Sequence, residues 1–321
     1  MTNHPHHRIL MPAPICLFVY NRPDETARLL NSLRQCPESA ASTLYVFSDG
    51  PKTDADRVKV EQVREYISTI EGFYKTIVIP REDNAGLATS VIQGVSTILN
   101  EYDSVIVLED DLEMAPDFLS FMNSAIDTYK DRHDIWSISG YTPDIPIPCD
   151  YPYDVFLIQR PQCWGWATWR DRWRLIDWDS KQSSILKNRE QRKSFNQGGN
   201  DLYRTLDMWQ HGRIDSWAIR WAFAAWLQHA WTINPIHSKI RNTGFSQSAT
   251  HQGWHDHRHF VDIDNPQNTH SQFVADIQAD PRICKSFKQH HDLGIISSIG
   301  YFMRRYGLGY HLVKRFLSSK H

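Results

Sequence analysis

Along the first 140 residues, short apolar runs alternate with segments in which apolar residues recur every three or four positions. Ile15-Cys-Leu-Phe-Val-Tyr20 is continuously apolar, as expected of a strand buried on both faces. Pro23 then marks a helix start, with Ala27, Leu29, Leu30 and Leu33 at helical spacing before Pro37. The same alternation predicts strands over Thr43–Phe47, Lys75–Ile79, Ser104–Leu108 and Ile135–Ser139. Between them it predicts a helix carrying Val58, Val63, Ile67 and Ile70, and another from Leu87 to Leu99. A further helix opens at Pro116, with Phe118, Leu119, Met122, Ala125, Ile126 and Tyr129 on one face. Repeated strand–helix–strand units predict an α/β fold with a mostly parallel sheet and helices on both faces. Ligands of such sheets sit beyond the carboxyl ends of the strands. That places Asn21–Arg22, Asp49, Asn84–Gly86 and Glu109–Asp111 along one rim. The GxGxxG and GxxxxGK[ST] phosphate cradles are missing from this region.

The pattern changes after Gly140. Tyr141–Tyr153 is proline-rich and reads as a connector. Ten of the twelve tryptophans then fall between Trp164 and Trp231. Trp217 with Trp221, and Trp226 with Trp231, read as helical spacing and a packed aromatic core. The polar stretch Asn242–Asn268 reads as a long loop. From Ile295 the chain mixes apolar residues with Arg304, Arg305, Lys314, Arg315 and Lys320 and has no acid. The chain thus divides into three regions: 11–140, 141–260, and a C-terminal extension over 261–321 with a basic amphipathic tail.

Composition narrows the class. The 321 residues carry 35 basic and 37 acidic side chains, a net charge of −2, which argues against a wholesale nucleic-acid binder. No stretch approaches eighteen consecutive apolar residues, so no membrane span is expected. Cys16, Cys36, Cys149, Cys163 and Cys284 are scattered, without metal spacing or a disulfide framework, which favours a reducing, cytoplasmic setting. The tail suits a helix lying on an anionic surface, so peripheral contact at the inner face of the membrane is also expected.

Among 37 acids a run of three means little, so the weight of Glu109-Asp110-Asp111 lies in its place after a Val/Ile/Leu strand. Adjacent carboxylates there point in opposite directions, so one can hold a hard cation such as Mg²⁺ or Mn²⁺ while its neighbour reaches a sugar hydroxyl. Asp215 lies among Trp209, Trp217 and Trp221, surroundings that raise a carboxylate pKa toward that of a general base; it also reads as a helix N-cap. Gly165 between Trp164 and Trp166 suits a loop facing a sugar, or plain core packing. Asn84, in Asp83-Asn84-Ala85-Gly86, can hydrogen-bond a ligand from a helix start, or serve an ordinary capping turn. His251, His255, His257 and His259 lack cysteine partners and an HExxH pattern, and read as a polar loop more than a zinc site.

The ordered set Phe18-Val-Tyr-Asn-Arg-Pro23, Val46-Phe-Ser-Asp-Gly50 and Val107-Leu-Glu-Asp-Asp-Leu-Glu-Met-Ala-Pro-Asp-Phe118 resembles the GT-A glycosyltransferases. It is most similar to the branch of the eukaryotic N-acetylglucosaminyltransferase I and bacterial enzymes of like pattern. Gln162-Cys-Trp-Gly-Trp-Ala167 and Arg213-Ile-Asp-Ser-Trp217 extend the likeness more weakly. The resemblance implies a Rossmann-like GT-A fold followed by a Trp-rich acceptor side, an inverting reaction, and dependence on Mn²⁺ or Mg²⁺. It implies that Asp111 binds the metal, Asp110 the donor ribose or sugar, Asp49 the uracil edge, and that Arg22 lies near the nucleotide. His251, on the return loop, would offer a ligand to the metal or diphosphate. The resemblance places the family's base at the second acid of a Trp-Asp-Asp-Trp segment; here that position is Ser216, so either Asp215 takes the role in a different register or the base lies elsewhere.

The expected activity is transfer of a sugar from a nucleotide-sugar donor, UDP-linked, to a hydroxyl of a glycan or lipid-linked acceptor. Residues 11–140 would hold nucleotide-sugar and metal, and 141–260 the acceptor and base. A nucleotidyltransferase is the enzymatic alternative, although Asn21-Arg22-Pro23-Asp24 stands where its Gly-rich triphosphate loop belongs. The other alternative is a catalytically inactive sugar-binding module.

Overall fold

A computed structural model describes residues 12–179, 186, 188–244, 261–263 and 271–292. Strand β1 (Ile15–Val19) lies between β2 (Thr43–Ser48) and β4 (Ser104–Glu109), parallel to both, and β3 (Lys75–Pro80) extends β2. The side chains of β1 are all buried and alternate between two cores. Ile15, Leu17 and Val19 pack with α1 (Pro23–Leu33), α2 (Asp54–Ser68) and α4 (Phe118–Tyr129). Cys16 and Phe18 pack on the other face with α3 (Leu87–Glu101) and α8 (Trp217–Leu227). The continuous apolar run is thus the signature of a strand covered on both sides.

The sheet continues beyond residue 140. β6 (Ile135–Ser139), β7 (Val155–Ile158), β8 (Trp166–Trp169) and β9 (Trp231–Pro235) join it, in the order β3-β2-β1-β4-β8-β6-β9-β7. β8 inserts antiparallel between β4 and β6, with Trp166 opposite Val107. A two-stranded sheet pairs β5 (Leu112–Met114) with β10 (Ile240–Asn242). Short helices α5 (Arg170–Trp173), α6 (Arg189–Phe195) and α7 (Asp201–Gln210) flank the aromatic half, and α9 (Pro281–His291) packs Phe287 on Phe156 of β7.

Two expectations are corrected. Trp231 does not continue the helix of Trp226; α8 stops at Leu227, His229 adopts a positive φ, and Trp231 opens β9. The cap of α8 is Ser216, whose Oγ accepts from the Ile219 N–H at 3.4 Å, and not Asp215. The tryptophans do form a core: Trp166 packs on Trp173, Trp217 and Trp221 with ring centroids 5.1–5.7 Å apart. Among the described residues no helix is long and apolar enough to cross a membrane; the basic tail lies outside them.

Candidate nucleotide and cation site

A cleft of about 410 Å³ opens at the carboxyl ends of β1, β2 and β4. The strand order turns back between β1 and β4, the switch point at which α/β sheets take their ligands. Its floor is the stacked pair Phe18 and Phe47, 5.1 Å apart, each one residue short of its strand's end. Arg22, Asp49, Asn84, Asp110 and Asp111 line it, together with Tyr20, Lys52, Gly86, Ser90 and Glu109.

Local structure places each group. Pro23 opens α1, and the Arg22 carbonyl accepts from the N–H and hydroxyl of Thr26, which fixes Arg22 at the helix start. Its Nη1 lies 3.3 Å from both Asp110 Oδ1 and Asp111 Oδ2. Asp49 is buried at the end of β2; its Oδ1 accepts from the N–H groups of Gly50 and Ala85, and its Oδ2 from that of Gly86. Asn84 donates to the Gly50 carbonyl at 2.9 Å. Asp49 therefore anchors the loop before α3 while facing the cleft, a structural duty added to any ligand contact. Ser90, in the first turns of α3, has a buried Oγ with no hydrogen-bond partner among the described residues.

The acids are electrostatically crowded. Burial, then Asp111 and Asp110, pushes Glu109 up to about 8, with Arg22 opposing. Burial pushes Asp110 up to about 7, Arg22 pulling down and Asp111 pushing up. Arg22 is raised although its burial works the other way, because Asp110 and Asp111 hold its charge. The donor set suits a hard divalent cation: two carboxylates converge on one cationic nitrogen, which stands in for the ion, and Mg²⁺ needs only one or two protein carboxylates beside water and phosphate. Among the described residues no preformed group of three or more His, Cys, Asp or Glu ligands occurs.

Trp164, Gly165 and Asp215 are not among the residues that line the cleft. Trp164 packs edge-on against Tyr141 at 4.5 Å. Gly165 has φ +54°, and a side chain there would run into Ile240 and Phe118, so its glycine has a packing reason. Asp215 is 67% exposed and receives Arg220 Nη2 at 2.6 Å, so it is not enclosed by tryptophans as expected. Trp217, two residues on, stacks on Trp166 opposite Val107, which sets the start of α8 near the end of β4. His251 lies outside the described residues. Sequence reasoning missed Lys52, Phe18, Phe47 and Ser90. The aromatic pair was signalled by strand alternation; Lys52 and Ser90 carried no motif.

Residues 15–142 match the sequence model of the glycosyl transferase family 2. No curated protein matches the sequence. Among solved structures, the mannosyltransferase PcManGT from Pyrobaculum calidifontis, in complex with GDP-Man and Mn²⁺, is 14% identical; the likeness covers 51% of this chain and 46% of that one, with TM-score 0.36. TarS of S. aureus is 13% identical over 73% of this chain and 37% of its own, TM-score 0.39. The glucosyl-3-phosphoglycerate synthase of Mycobacterium tuberculosis, in complex with Mn²⁺, UDP-glucose and phosphoglyceric acid, is 12% identical over 52% and 59%, TM-score 0.32. This chain thus spans less than two thirds of each. The family match and the mostly parallel sheet between helices agree with the GT-A-type fold that the motifs resemble.

Proposed function

We propose that this chain, whose residues 15–142 match glycosyl transferase family 2, moves a sugar from a UDP-linked donor to a hydroxyl of a glycan or lipid-linked acceptor with inversion. The observation that carries this reading is the convergence of Asp110 and Asp111 on a single cationic nitrogen at the mouth of a nucleotide-sized cleft. A divalent cation held by Asp111 supplies charge neutralisation for the departing diphosphate. The residues themselves divide the remaining work. Asp49, an acceptor fixed by three backbone N–H groups, selects a base that presents an N–H, and the Phe18–Phe47 pair floors the cleft beneath it. Asp110 accepts from a ribose or sugar hydroxyl. Arg22 sits between the acids and solvent, placed to follow the diphosphate's charge. Asp215, exposed at the start of α8, takes the acceptor's proton.

One observation favours a second reading, a sugar-binding module without turnover: Ser216 occupies the second acid position and Asp215 is engaged by Arg220. A panel of nucleotide sugars with and without Mn²⁺, read by release of free nucleoside diphosphate and by thermal unfolding, separates the two. The enzyme reading expects Mn²⁺-dependent release from a UDP-sugar; stabilisation without release supports the binding module. Neither effect with any nucleotide sugar rejects both.

A further inference from the structure

The acidic end of β4 is held from a distant part of the chain. β10 pairs antiparallel with β5 directly after the triplet, Asn242 opposite Leu112. The Lys239–Asp117 and Arg241–Glu113 ion pairs, 2.6 and 2.9 Å long, fasten this strand on either side of Ile240. The chain then reaches back to Asp111. The Thr243 N–H and Oγ1 both donate to the Asp111 carbonyl, at 2.8 and 3.1 Å. One residue on, the Gly244 N–H donates to Asn242 Oδ1 at 2.7 Å, and its Cα faces the Asp111 side chain. A Cβ at 244 would stand 2.7 Å from Asp111 Oδ2 and 3.2 Å from Asp111 Cβ. The φ of Gly244 is outside the left-handed region, so these contacts, together with Asn242 Oδ1 at 3.1 Å from the same Cβ, and not the backbone, are what oppose a side chain.

Asp111 is thus bounded by Gly244 on one side and by Arg22 Nη1, 3.3 Å away, on another. We propose that Thr243 and Gly244 are positioning residues that fix the Asp111 carboxylate for a divalent cation, so that the returning strand sets the cation affinity of the site. The inference rests on the reading that Asp111 holds the cation. An alanine at 244 forces the carboxylate aside or lifts the strand from the acid turn. Cations of the Mg²⁺ type demand near-ideal oxygen geometry, so a shift of a few tenths of an ångström registers in affinity.

The test is titration of the full chain with Mn²⁺ alone, free ion read by electron paramagnetic resonance, beside thermal unfolding without cation. Gly244→Ala is expected to weaken Mn²⁺ binding by about tenfold or more, the usual effect of disturbing a ligand's support, with unfolding in the absence of cation little changed. Thr243→Val, which keeps the N–H and loses the hydroxyl, is expected to weaken it less, and Thr243→Ser, which keeps both donors, to restore it. Should Gly244→Ala fail to fold, the Thr243 pair carries the comparison. Asp111→Asn separates the two levels. Wild-type Mn²⁺ binding by that variant overturns the assignment of Asp111 itself. Lost binding in Asp111→Asn, with wild-type affinity in a folded Gly244→Ala and in Thr243→Val, overturns the positioning inference alone.

Discussion

Glu109, Asp110 and Asp111 are consecutive, and the last two share one guanidinium, so the site has a pH dependence with a definite sign. The folded chain holds Glu109 at about 8 and Asp110 at about 7, both above the ordinary carboxylate range of about 4. Between those limits these two groups bind more protons in the folded state than in the unfolded one, so their contribution to stability is fully present below about pH 4 and is lost as pH rises through about 7 to 8. On the proposed reading, a divalent cation at these acids takes the place of the protons. The rise in Tm caused by Mg²⁺ should therefore be small near pH 5.5 and grow toward pH 8.5; a response that is flat or shrinks with pH contradicts the assignment. Asp215 gives a second prediction at this scale. Because Ser216 caps α8, removing the Asp215 charge leaves that cap intact. Asp215→Asn should lower turnover at least about a hundredfold, the usual contribution of a general base, while donor binding and Tm hold. A loss of only a few-fold assigns the base elsewhere.

The return strand β10 is the element whose energetics decide most. Its Lys239–Asp117 pair has side chains only 7% and 10% exposed. Removing one partner leaves a buried charge, so Lys239→Ala should cost on the order of 3–5 kcal/mol in a denaturant titration. Replacing both, Lys239→Met with Asp117→Leu, should recover most of it; equal losses in the single and double variants would show that packing, not charge, holds the strand. The elements that sequence made legible are those whose pattern is local. β1, β2, β4 and their helices are readable from apolar runs and from spacings such as Leu29, Leu30 and Leu33. The acid triplet was legible because it ends such a strand. β8 and β10 were not. Trp166-Ala-Thr-Trp169 is a strand because it slots between β4 and β6, and Ile240-Arg-Asn242 because β5 is there to pair with. Both depend on partners far along the chain, which no local period encodes. The enclosure of Asp215 failed for a related reason: tryptophans near it in sequence turn into the core against Trp166, while its own carboxylate turns outward to Arg220.

At the scale of the whole molecule, the family match over residues 15–142 covers the parallel half of the sheet, and β7, β8 and β9, all later in the chain, complete the mixed half. The near-neutral chain also ends in a segment whose charge is all of one sign, Arg304, Arg305, Lys314, Arg315 and Lys320 among apolar residues. Each such charge near an anionic leaflet contributes on the order of 1 kcal/mol, so the full chain should co-sediment with anionic vesicles and release with salt. A chain ending at Gly294 should stay in the supernatant; equal behaviour of the two assigns the tail a role within the protein. The Thr243–Asp111 bond has a consequence in time. Its partners are 132 residues apart, and a ribosome adding about 5–20 residues per second needs on the order of 7–25 s to deliver the second after the first. During that interval the parallel strands β1 to β4 are already out, and their acidic rim waits unstrapped. The sheet can assemble as it is made; if Asp111 holds the cation as proposed, the full affinity of that site is a late product of synthesis.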